Sequence, residues 1–200
     1  SSYNKYGFDF DNDGKVNLWN NEGDILASIA NFLNLNGWKK NLIWGIEVIE
    51  SSNHPCYIEG VKNKKTIKKW KLSGIELADK KSLKNLPLSI QTSLLMPKGE
   101  YGPKFLVTNN FYVLKKYNFS DFYALYVSIL ANLIEGEKLF NGKWIKTSKL
   151  HRKKILELQH SLIKKGLEVG ELDGLIGFKT RRSTGKNQEE LNQRITCYPK

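Results

Sequence analysis

The stretch Asp9-Phe10-Asp11-Asn12-Asp13-Gly14-Lys15-Val16-Asn17 decides how this chain is read. Carboxylates at loop positions 1, 3 and 5 converge from one side on a hard cation such as calcium, which takes about six to eight oxygen ligands. Gly14 at position 6 permits a sharp turn, so Lys15 can offer its carbonyl from the far side. Val16 is the apolar residue that anchors such a loop to the body of the protein. Position 12 is Asn20, where an EF-hand carries a bidentate Glu. A closing carboxylate must come from farther on, and Glu22 or Asp24 is available. The plain alternative is a solvated turn whose Asp and Asn side chains bond their own backbone.

Downstream of the loop, residues 24–36 read as an amphipathic helix. Asp24 caps it, Ile25, Ile29, Phe32 and Leu33 form its apolar stripe, and Gly37 ends it. Between 38 and 100, short apolar runs (42–49, 66–72, 93–95) alternate with polar turns, predicting small antiparallel strands mixed with helical turns. Ser120 caps a second helix over 120–135, whose repeat of Phe122, Leu125, Tyr126, Ile129, Leu130 and Leu133 predicts a mostly buried face. From 142 to 154 the chain turns basic and loses periodicity, as a linker does. A short helix from Ile155 to Gly166 follows, then a turn-rich middle around Gly170, Asp173-Gly174 and Gly177. A last helix begins at Thr180 and is weakened by Gly185. A unit of roughly 50 residues buries only a small core.

The formal charge of +12 attracts anions, but the four arginines (Arg152, Arg181, Arg182, Arg194) are far outnumbered by lysines. Base and phosphate recognition favours the arginine fork, and no aromatic-basic nucleic-acid motif is present, so no nucleic-acid partner is expected. Diffuse lysine fits either a lysine-rich genome or a polyanionic polymer. No apolar run is long enough to span a membrane. Cys56 and Cys197 lack metal-ligand spacing, and two cysteines make no disulfide framework.

Together these segments resemble the membrane-bound lytic murein transglycosylase B family. The resemblance runs through Asp9–Trp19, residues 24–31, Gly37-Trp38, residues 94–99, Gly102-Pro103, residues 105–111, residues 116–120 and Tyr123-Ala124-Leu125. The last segment resembles a peptidoglycan-binding module through Leu158-Gln159, Leu162, Gly166, Gly170, Asp173-Gly174, Gly177, Thr180-Arg181 and Gln188. Ser183–Asn187 depart from that module's Ala-rich helix, which predicts a frayed end.

The resemblance implies a mainly α (α+β) fold. It comprises a lysozyme-like transglycosylase domain (1–141) with a small β-containing insertion, a basic linker (142–154) and a small helical peptidoglycan-binding module (155–200). It implies non-hydrolytic cleavage of the bond between MurNAc and GlcNAc in peptidoglycan, giving a 1,6-anhydro product. One Glu serves as acid and then base, with a pKa raised by burial. That Glu is expected upstream of residue 1, so this chain alone is expected to be inactive; Glu47, Glu50 and Glu100 read as surface charges. A rival is a non-catalytic, calcium-stabilised wall-binding protein. Peptidoglycan glycan strands are the implied partner, a monomer in the periplasm or cell envelope the implied setting. The resemblance assigns Asn110 to the cleft beside the scissile bond. Tyr112, Tyr117 and, in a Gly- and Pro-flanked loop, Tyr101 are further candidates for sugar contact. The calcium ligands are then Asp9, Asp11, Asp13, the Lys15 carbonyl and, closing the loop, Asp24, with a structural role for the ion.

Overall fold

In the computed structural model, which describes residues 2–50, 55–79 and 86–199, the acidic loop joins a short helix α1 (Ser2–Tyr6) to α2 (Glu22–Leu35). Helix α2 starts two residues before the expected Asp24 because Asn21 is its cap. The Asn21 Oδ1 accepts the Asp24 N–H at 3.2 Å, and Asp24 is left free to turn its carboxylate back to the loop. Five strands follow: β1 (Gly45–Glu50), β2 (Lys65–Thr66), β3 (Ile75–Leu77), β4 (Gln91–Leu95) and β5 (Lys104–Val107). They form one antiparallel sheet in the order β2-β4-β5-β1-β3, with Val48 opposite Leu77, Gly45 opposite Val107 and Leu94 opposite Leu106.

The sheet is buried on both faces, and the two-residue period of its strands sorts the core accordingly. Leu94 and Leu106 point to one side with Val48, Ile75, Leu77, Met96 and Trp70. Leu95, Phe105 and Val107 point to the other, against Phe111, Leu114, Ala124 and Leu125. The run 66–72 splits: Thr66 ends β2 and caps α3 (Ile67–Leu72), its hydroxyl accepting the Lys69 N–H. Helices α4 (Asn109–Tyr117) and α5 (Asp121–Ile134) cover the second face, with Ser120 capping α5 through the Tyr123 N–H.

The apolar stripe of α5 is not buried as its periodicity predicts. Ala124, Leu125 and Ser128 face the sheet, whereas Tyr126 is 66% and Leu133 43% exposed. Of the stripe, Leu125 is buried and Ile129 partly so, while Phe122, Tyr126, Leu130 and Leu133 are exposed.

The 142–154 stretch has no regular structure up to His151, and α6 (Arg152–Lys164) takes its last three residues. It lies stitched to the sheet domain: the Ile145 N–H donates to the Tyr101 carbonyl at 2.8 Å, and Lys98 Nζ to the Ile145 carbonyl at 2.7 Å. Trp144 packs on Phe122 and Phe140. In the end module Gln159 ties α6 to the turn-rich middle, donating to the Glu171 and Leu175 carbonyls and accepting the Gly174 N–H. Helix α7 (Phe178–Glu190) runs unbroken through Gly185, with no fraying at Ser183–Asn187. Its hydroxyls are satisfied locally, Thr180 by the Val169 carbonyl and Thr184 by the Thr180 carbonyl.

The end module is fixed to the sheet domain. Cys56 and Cys197 form a disulfide across 141 residues, a pairing that the two isolated cysteines did not suggest. Gly185 faces it, and a Cβ there would lie 2.3 Å from the Cys197 Sγ. Gly99 meets the same C-terminal segment, where the Glu100 N–H donates to the Thr196 carbonyl at 3.0 Å. No helix among the described residues is long and apolar enough to cross a membrane.

Candidate functional site

The acidic loop closes as a carboxylate cup at the start of α2. Oxygens of Asp9, Asp11 and Asp24 all lie within 4.8 Å of one another. Asp24 is fully buried, and its two oxygens accept the Phe10 and Asn17 N–H groups at 2.8 and 2.7 Å, so it both closes the loop and holds its shape. Asp9 Oδ2 accepts the Gly14 N–H, while its Oδ1 is buried without a hydrogen-bond partner. A buried carboxylate oxygen with no donor is costly unless a cation faces it. The left-handed turn that aims these groups uses Asn12 (φ 60°) and Gly14 (φ 85°). Asp13 stands outside the three-carboxylate group, its Oδ1 accepting the Lys15 N–H at 2.8 Å. Glu22 is exposed and belongs to no such group.

Across α2 from the cup runs a line of aromatic rings. Tyr6 meets Phe32 edge-on at 4.7 Å, Phe32 meets Tyr117 edge-on at 5.4 Å, and Tyr117 stacks on Tyr123 at 6.3 Å with 13° between the planes. Tyr117 is 54% exposed, and Tyr123 is also exposed. Exposed aromatic rings offer apolar surface to sugar rings, with phenol groups to bond hydroxyls. Hydrogen bonds with Asn36 and Lys5 lower the Tyr6 phenol below its ordinary value. Tyr6, Phe32 and Tyr123 were not among the sequence candidates; only their spacing to Tyr117 in three dimensions distinguishes them from core aromatics.

The other candidates lie elsewhere. Asn110 is 0% exposed, and its amide is committed to the loop after α2. Its oxygen accepts the Lys39 N–H at 2.9 Å, and its nitrogen donates to the Lys39 and Leu42 carbonyls at 2.9 and 2.7 Å. This corrects the expectation of an amide facing the cleft: Asn110 pins the backbone of residues 39–42 and has no free edge for a sugar. Tyr112 packs half-buried on the second core face, edge-on to Phe111, and burial pushes its phenol up to about 12. Tyr101 meets Tyr198 edge-on at 6.3 Å, beside the C-terminal segment rather than in the aromatic line.

The carboxylates that sequence reading set aside are held by partners, save that Glu50 Oε1 is buried without a hydrogen-bond partner. Glu47 accepts the Asn141 and Gly142 N–H groups, and Glu50 and Glu100 pair with Lys104. A fourth, Glu59, is buried against Arg181, whose guanidinium also reaches Asp121 at 2.8 Å. Complete burial pushes the Glu59 carboxyl above its ordinary range, and the Arg181 charge offsets only part of this. Burial acts the same way on Asp121, but there Arg181 and Lys115 together outweigh it and hold the carboxyl low.

Comparison with known proteins places these features in a family. The profile of the transglycosylase SLT domain matches residues 1–132. Membrane-bound lytic murein transglycosylase B of Escherichia coli K12 is 33% identical over 128 residues, covering 64% of this chain and 33% of that protein. SltB3 of Pseudomonas aeruginosa, crystallised with NAG-anhNAM-pentapeptide, superposes with a TM-score of 0.84 at 37% identity over 99% of this chain and 53% of its own. Escherichia coli Slt35 in complex with calcium gives a TM-score of 0.51 at 27% identity, over 67% of this chain and 41% of its own. The chain thus spans about one third of the curated relative and about half of SltB3.

Proposed function

This chain belongs to the transglycosylase SLT domain family, and from that premise we propose that it works in the non-hydrolytic cleavage of MurNAc–GlcNAc bonds in peptidoglycan. Its part is to bind the glycan strand. The observation that carries this reading is the exposed Tyr117–Tyr123 pair, backed by the half-buried Phe32 and held at fixed spacing by α2, α4 and α5. The SltB3 complex with a disaccharide pentapeptide supports the substrate class, since that likeness covers almost the whole chain. The setting is the cell envelope, where such a substrate lies.

The cup of Asp9, Asp11 and Asp24 takes calcium. The partnerless Asp9 oxygen and the all-oxygen donor set support this, and so does the calcium complex of Slt35. The ion neutralises carboxylates packed at the α2 N-terminus and stiffens the loop; the cleavage chemistry passes through a carboxyl group. Glu47 holds backbone N–H groups, and Glu100 and one oxygen of Glu50 pair with Lys104, so each has structural work in this fold.

The test is co-sedimentation of the 200-residue chain with purified sacculi in calcium at high salt, followed by analysis for anhydro-muropeptides. The expected result is retention in the pellet, weakened by Tyr117→Ala, with no anhydro product. Loss to the supernatant at high salt would leave charge as the only attraction, and release of anhydro-muropeptides would mean that a described carboxyl is the acid.

A further inference from the structure

Three parts of the chain that are distant in sequence meet at one guanidinium. Arg181 of α7 is 1% exposed. Its Nε and Nη2 form a fork on the two Glu59 oxygens at 2.8 and 3.1 Å, and Glu59 is fixed in turn by the Met96 N–H at 3.0 Å. The Nη1 donates to the Ile176 carbonyl. The remaining direction of the fork is Nη2 to Asp121 Oδ2 at 2.8 Å. Asp121 is the first residue of α5, and its other oxygen takes Lys115 from the last turn of α4. The same lysine sits 5.3 Å from the ring of Phe178, the first residue of α7. One carboxylate therefore joins α4, α5 and α7.

That carboxylate sits at the corner that sets the aromatic line. Tyr117 lies two residues after Lys115, and Tyr123 two residues after Asp121. The turn between them is short, with the Ser120 N–H held by the Asn118 side chain. The angle between α4 and α5 sets how the two tyrosine planes overlap. A lysine in place of the arginine offers one point charge where the fork makes three directed bonds, so it cannot hold both carboxylates in register.

We propose that Arg181, contributed by the end module, is a positioning residue for the glycan-facing Tyr117–Tyr123 pair, acting through Asp121 and Lys115 at the α4–α5 corner. The end module is then a brace of the sugar-binding surface and not solely a wall anchor. The inference rests on the proposed glycan reading of that pair. The Cys56–Cys197 disulfide makes the two roles separable, because it keeps the module attached when the arginine is changed.

The experiment uses the 200-residue chain with 3-fluorotyrosine placed singly at 117, 123, 3 and 101, read by fluorine NMR without ligand. Binding of a soluble uncross-linked glycan strand is measured in parallel. The Arg181→Lys variant is expected to shift the resonances at 117 and 123, leave 3 and 101 in place, and weaken glycan binding about tenfold. The neutral variant Glu59→Gln, Lys115→Met, Asp121→Asn, Arg181→Met, which removes every charged member of the network together, should do the same. Unmoved resonances at 117 and 123 in both variants, or equal shifts at all four tyrosines, would overturn the brace. Tyr117→Ala and Tyr123→Ala report on the underlying reading separately. If both bind the glycan like wild type, the glycan-facing role fails and the inference falls with it, whatever the resonances show.

Discussion

Gly185 shows how much one absent side chain can decide. It lies mid-helix, where glycine costs about 1 kcal/mol relative to alanine, yet α7 is intact around it. The reason is the Cys197 sulfur, which would lie 2.3 Å from a Cβ at this position. Gly185→Ala is expected to lose about 1–3 kcal/mol in urea unfolding through overpacking against the disulfide. In a Cys56→Ala, Cys197→Ala background the same change should be neutral or stabilising by up to about 1 kcal/mol, because only the helix preference is left. An equal loss in both backgrounds would mean that the sulfur contact is not what excludes a side chain. Asn110 is the residue-scale opposite: a polar side chain that looks functional but is fully committed to backbone groups 68 and 71 residues away.

At the scale of elements, the acidic loop and α2 form one unit in which carboxylates have different duties. Asp24 holds two loop N–H groups, so its removal costs structure with or without a cation. Asp11 accepts one backbone N–H and the Asn21 amide at the surface, so Asp11→Asn should leave the fold intact. Melting in calcium and in chelator separates these roles. Asp11→Asn is expected to abolish most of the calcium-dependent rise in Tm with little change in chelator, whereas Asp24→Asn lowers Tm in both. A wild-type protein whose Tm does not respond to calcium would remove the cation from the account. Helix α5 is the element whose sequence misleads: its strong periodicity locates a helix, but its fully buried residues are Asp121, Ala124, Leu125 and Ser128. Periodicity alone does not say how much of an apolar face a neighbouring element will cover.

At the scale of the whole molecule, the two segments that composition separates are joined covalently and by a buried ion network. Closing a loop of 141 residues restricts the unfolded chain strongly. Replacing both cysteines by serine is expected to cost about 4 kcal/mol in urea unfolding. The double variant should still show a single transition, because Arg181 and the segment around Thr196 keep the parts packed. Two separated transitions would mean that the end module is held by the disulfide alone.

What the sequence determined by itself are features written in neighbouring residues. These are the acidic loop with its glycine turn, the helix behind it, the Ser120 cap of α5, and the turn-rich module after 155. Their signals are local because loop dihedrals, caps and short-range periodicity depend on side chains a few positions apart. The family resemblance is legible in the same way, as ordered local blocks. Tertiary structure alone decided the partner of Cys56, the burial of Asn110, the outward face of α5, and the alignment of Tyr6, Phe32, Tyr117 and Tyr123. It also decided that Arg181 would leave the basic surface for the interior. Each of these depends on groups brought together from distant positions, and no local rule of spacing encodes which distant group will arrive.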